Sequence, residues 1–199
     1  MSIVTNINKL QDVCRTVPTL EEGERIAAKL LKELTESKSG IGLAANQIGI
    51  NKRVCVVNVK EPIYFVNPKI TNREGEVQFV EGCLSFPNKS VKTKRNVYVT
   101  VESDNLGKVV FGPGGGDDDE ANYQDLLECV CVQHEIDHLD GITMYDREFK
   151  NEPIINGINA PKKYGRNERV VIEKDGNTKE VKYKKAEPLL DDGWVITGG

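Results

Sequence analysis

Long apolar runs are missing from this sequence: nothing approaches the about 20 residues that a helix needs to cross a bilayer, so no membrane span is expected. Excess positive charge is missing too. With 27 Lys and Arg against 31 Asp and Glu, the net charge of -4 excludes a nucleic-acid binder held by a basic surface. The opening decapeptide MSIVTNINKL has neither a basic n-region nor an apolar h-region, and no Arg-rich transit pattern, so a cytoplasmic protein is expected. The five cysteines, Cys14, Cys55, Cys83, Cys129 and Cys131, form no C-x-x-C pair. Scattered and odd in number, they read as reduced core residues with an occasional metal ligand among them. Histidine is scarcest of the metal-binding residues, with only two in 199 residues.

What is present has the balance of a globular protein, 38% hydrophobic and 29% charged, enough for one sizeable core. Thr19 and Glu22 make a capping-box pattern ahead of Ile26, Ala27, Leu30, Leu31 and Leu34, which repeat at helical spacing as far as Ser37–Gly40. A glycine-bearing turn spans 40–49. Val54–Val59, Ile63–Val66, Val77–Val80 and Val97–Val101 read as strands. Gly112-Pro-Gly-Gly-Gly-Asp-Asp-Asp119 reads as a solvated loop, since its carboxylates lack the alternating spacing of a calcium loop. Asp119 or Asn122 then caps a helix over about Tyr123–Leu139, stopped by Gly141. Apolar residues surround that helix on several sides, so it should be central and buried. Residues 151–166 have linker composition, and Arg169–Lys174 and Thr178–Lys184 flank Asp175-Gly-Asn as a β-hairpin. The division expected is a catalytic domain over 1–150 and a linker-and-hairpin extension over 151–199.

Both histidines fall in His134-Glu-Ile-Asp-His138 within the buried helix. Spacing of i, i+4 places two imidazoles on one face as ligands of one ion, with Glu135 between them to handle a proton. Two unpartnered core imidazoles would be costly, which disfavours the alternative of chance histidines. A catalytic ion needs a third protein ligand and an open position. No third histidine exists; Glu148 and Glu152 lack a motif. Cys83, after a strand and beside Gly82, is the better candidate, although by residue type alone Cys129 and Cys131 stand level with it.

Gly40-Ile-Gly-Leu-Ala-Ala-Asn-Gln47, Glu81-Gly-Cys-Leu-Ser85 and His134-Glu-Ile-Asp-His-Leu-Asp-Gly141 occur in the order and approximate spacing of the peptide deformylases. The chain resembles that family over roughly 20–149, and Met144-Tyr-Asp-Arg147 resembles the segment after its metal helix. The resemblance implies a metal-dependent hydrolase that removes the formyl group from the N-terminal methionine of new polypeptides. It implies Cys83, His134 and His138 as metal ligands, Fe(II) as native ion with zinc, nickel or cobalt as substitutes, and Glu135 as general base and acid. It further implies Gln47 and the Leu84 backbone N–H as oxyanion donors, and Gly42 and Gly82 as main-chain partners of the substrate. Ile41, Leu126, Leu127, Val130 and Cys131 would line the methionine pocket. The fold implied is α+β, a central metal helix on small mixed or antiparallel sheets, with the C-terminal hairpin added.

The Gly/Asp-rich loop, Glu128 at a position usually apolar in relatives, the 151–199 tail and the lack of a Pro-containing opening depart from the family. They touch the rim of the site and leave a ribosome contact open, not the ligand set. Two rivals differ in product: an endopeptidase would cleave unformylated chains internally, and a module binding nascent N-termini would need no general base.

Overall fold

A computed structural model describes residues 3–37, 39–114, 118–149, 169–174, 176–190 and 194–198; the linker expected over 151–166 lies outside them. The chain divides into two compact units, Met1–Ile158 and Asn159–Gly199. In the first, a short helix α1 (Ile7–Leu10) precedes α2 (Leu20–Glu36), and Thr19 caps α2 by accepting from the Glu22 N–H at 3.3 Å. The buried face of α2, Ile26, Ala27, Leu30 and Leu34, packs with Val54, Val56 and Val66. Close approach is set by Gly23, where a Cβ would lie 2.6 Å from the Val66 methyls.

Three strands, β1 (Gly42–Ala44), β2 (Val54–Asn58) and β3 (Pro62–Val66), form an antiparallel sheet in that order. The glycine-bearing turn thus contains a strand, followed by a 3-10 turn at Ala45–Ile48. Side chains alternate along β2: Val54 and Val56 face α2, whereas Cys55 and Val57 join a second core with Val132, Ile136 and Leu139. Burial on both faces explains the unbroken apolar run. A second antiparallel sheet orders β4 (Lys69–Glu74), β7 (Tyr98–Ser103) and β8 (Gly107–Phe111), and contributes Val99, Val101 and Phe111 to that second core. The hairpin of β5 (Val77–Cys83) and β6 (Phe86–Arg95) stands apart as a two-stranded sheet.

Helix α3 (Asp119–Leu139) runs through the middle, and every residue from Glu128 to Leu139 is buried. It starts earlier than expected because Asp118, not Asp119 or Asn122, is the cap, accepting from the Ala121 N–H at 3.0 Å. Asp119 and Glu120 then occupy the first turn, where the helix dipole favours negative charge. Gly141 ends the helix at φ 72°, tight against the Gln11 carbonyl. The arrangement is α+β, with the named strand pairs all antiparallel.

In the second unit, β9 (Arg169–Lys174) and β10 (Asn177–Lys182) form the hairpin, joined by α4 (Tyr183–Leu190) and by β11 (Val195–Gly198) on β9. Val170, Ile172 and Ala186 make a small core of its own. No helix among the described residues is long and apolar enough to cross a membrane.

Candidate metal centre and active site

Cys83, His134 and His138 converge, with one ligand atom from each lying within 4.8 Å of the others. The helix supplies the imidazoles one turn apart, ring centroids 4.9 Å from each other. Strand β5 supplies the thiol. Gly82 pairs with Ser90 but Cys83 with Phe86, so 87–89 bulge outward and Leu84-Ser85 closes a tight turn. That turn presents Cys83 Sγ to His138 Nε2 at 3.2 Å.

The environment of His134 suits a cation. His134 Nδ1 lies 2.7 Å from Glu81 Oε2; a carboxylate accepts, so Nδ1 donates and Nε2 is the nitrogen left to take an ion in place of a proton. Burial opposes charge on His134, yet hydrogen bonds with Cys83 and Glu81 and the charge of Glu135 outweigh it and hold its pKa well above the ordinary value. A field that draws a proton onto this imidazole also draws a metal cation. Burial also opposes charge on Glu81, but Arg95 and His134 bring its pKa down to about 2. His138 is driven the other way, well below the ordinary value, by burial and by the charges of His134 and Arg95. One thiol and two imidazoles make a donor set for borderline divalent metals, with room for a further ligand.

Glu135 adjoins these ligands without belonging to the set. Its Oε2 is buried with no protein partner, and burial raises its pKa to about 7, a value suited to accepting and returning a proton near neutrality. Gly42 is required beside it, since a Cβ there would overlap Glu135 Oε1 and Cys131 Sγ. Gln47 is held by its Oε1, which accepts from the Ala44 N–H at 2.8 Å, leaving Nε2 3.4 Å from Cys83 Sγ and 3.2 Å from Ser85 Oγ.

A cavity of about 440 Å³ opens over this cluster. Ile41, Gly42, Gln47, Gly82, Cys83, Leu84, Leu127, Val130, Cys131, His134 and Glu135 all line it. Leu126 does not: it packs with Val97 and Val130, against Val77 and Phe79. The reason is helical phase, because 127, 130, 131 and 134 share one face and 126 points about 100° away. Phe79, unmarked by any motif, lines the cavity and stacks on Tyr123 at 6.5 Å. Alternation along β5 from Glu81 and Cys83 gives its face. Ser85, Glu81 and Arg95 support the site and carry no apolar signal, although Ser85 and Glu81 stand inside the second motif.

Comparison with known proteins agrees with this geometry. A family model described as polypeptide deformylase matches residues 2–153. The chain is 47% identical over 116 residues to a peptide deformylase of Heliobacterium modesticaldum, covering 57% of this chain and 70% of that one. It is 41% identical over 140 residues to peptide deformylase 2 of Clostridium acetobutylicum, covering 69% and 87%. The crystal structure of a peptide deformylase from Legionella pneumophila superposes with a TM-score of 0.60 at 31% identity, covering 74% of this chain and 84% of that one.

Proposed function

The chain belongs to the peptide deformylase family of metal-dependent hydrolases, and from that premise we propose that it hydrolyses the N-formyl group of formyl-Met polypeptides to formate and a free amine. Cys83, His134 and His138 would hold one divalent ion, Fe(II) natively, with zinc, nickel or cobalt as substitutes. When bound, such an ion polarises a carbonyl and acidifies water. Glu135 takes a proton from the attacking water and delivers it to the departing amine. The Gln47 side-chain amide and the Leu84 backbone N–H donate to the oxyanion of the tetrahedral stage, in a site whose burial strengthens both bonds. Main chain at Gly42 and Gly82 pairs with the substrate backbone. The methionine side chain enters between Ile41, Phe79, Leu127, Val130 and Cys131, a pocket of ordinary ligand size. Nascent chains in the cytoplasm are the partners this chemistry implies.

The observation that carries this reading is the convergence of the three ligand atoms within 4.8 Å beside the buried Glu135, whose Oε2 has no protein partner. The test is a product assay. Formate and free-amine peptide should appear from formyl-Met peptides, with no internal cleavage of unformylated chains. Internal cleavage without formate would make the protein an endopeptidase instead.

A further inference from the structure

Behind His134 runs a ladder of alternating charges that ends near the surface. Arg95 grips Glu81 through two hydrogen bonds, Nε–Oε1 at 2.5 Å and Nη2–Oε2 at 2.8 Å, while its Nη1 reaches Asp137 Oδ2 at 2.5 Å. Thr93 also donates to Glu81. Arg147 closes the far end, with Nη2 on Asp137 Oδ1 at 2.7 Å and Nε on Asp137 Oδ2 at 2.9 Å. Side-chain exposure is 4% for Glu81, 3% for Arg95 and 7% for Asp137, but 38% for Arg147.

We propose that Arg147 is a positioning residue for the ligand His134, acting through Asp137, Arg95 and Glu81; this rests on the reading of the site as a metal centre. Buried ions this close are tolerated only when each is fully paired. Arg147 takes both oxygens of Asp137 and Arg95 reaches only Oδ2, through Nη1, which leaves the Nε–Nη2 edge of Arg95 free for Glu81. Without Arg147, Asp137 has one cationic partner, and Arg95 is drawn toward both its oxygens. The grip on Glu81 loosens, and Glu81 is what fixes the tautomer and tilt of His134. The segment carrying Arg147 has anchors of its own. Asp146 Oδ2 accepts from the Thr143 N–H and hydroxyl, both at 2.8 Å, and the Phe149 N–H donates to the Lys92 carbonyl at 3.2 Å. Substituting Arg147 therefore removes its charge without releasing its segment.

The test uses the full chain loaded with Co(II), whose thiolate band and d–d bands report on the ligands, and measures affinity by chelator competition. Arg147→Ala should weaken Co(II) binding roughly 3–10-fold and shift the d–d bands, less than the roughly 10–100-fold typical when a group touching the ligand is lost, as in Glu81→Gln. Arg147→Lys should recover part of the affinity. In the Glu81→Gln background, Arg147→Ala should add nothing, because its route to His134 is already cut. Unchanged affinity and spectrum in Arg147→Ala would overturn the proposal, as would an equal loss in both backgrounds, the mark of a merely structural role. Wild-type protein with no thiolate–Co(II) band would instead overturn the metal-centre reading, and this proposal with it.

Discussion

Glu135 and Cys83 line the same cavity in different roles, and substitution separates them. Glu135→Gln should keep one equivalent of metal while turnover falls about 10²–10⁴-fold, the usual share of general acid–base catalysis; near-normal formate release from loaded Glu135→Gln protein would remove the assignment. Cys83→Ala should lose stoichiometric metal, whereas Cys14→Ala and Cys129→Ala, at buried thiols away from the ligand cluster, should retain it by metal analysis. Glu81 gives a pH dependence whose sign is fixed. Its folded pKa, about 2, lies below the ordinary 4.5, so it contributes stability above about pH 4.5 that is lost as pH falls toward 2. Urea unfolding should show the advantage of wild type over Glu81→Gln shrinking across that window. At this scale the two histidines were legible because histidine is rare in the chain and their spacing is helical, whereas Cys83 was singled out from the other cysteines only by the resemblance of its motif. Arg95 was not legible, since a buried arginine on a strand has no pattern until its carboxylate partners are placed.

Among the elements, α3 decides which apolar residues meet substrate. Leu127→Ala should raise KM for formyl-Met peptides with little effect on thermal stability. Leu126→Ala should do the opposite, costing about 2–3 kcal/mol in unfolding experiments as a large-to-small core change, with KM unchanged. Equal KM effects would place both side chains in the pocket. Helices α2 and α3 and strands β2, β3, β5 and β7 were readable because caps, helical spacing or β-branched runs mark them. Strand β4 is mostly exposed, and β6 buries Thr93 and Arg95 along with Val91, so neither shows apolar alternation. Strand β8 is short and has only Phe111 buried. Helix α4 was hidden because its only fully enclosed described side chain is Ala186. Proline 188 sits in that helix as well, which argues against a helix in a sequence reading.

At the scale of the whole molecule, every residue proposed for chemistry lies in the unit ending at Ile158, and the family match ends at 153. The second unit has its own small core around Val170, Ile172 and Ala186, with Lys179 over the Trp194 ring. A chain ending at Lys150 should therefore keep its metal and much of its activity on a short formyl-Met peptide. A folded, metal-loaded truncation with negligible turnover would show that the tail helps build the substrate site. The central claim, a Cys83–His134–His138 ion driving deformylation, is tested most directly by titrating metal-stripped protein anaerobically with Fe(II) and measuring formate from a formyl-Met peptide at each step. Formate release should rise in proportion to bound ion and saturate at one equivalent per chain. Formate release that is independent of bound metal, or absent at full loading, would contradict the claim.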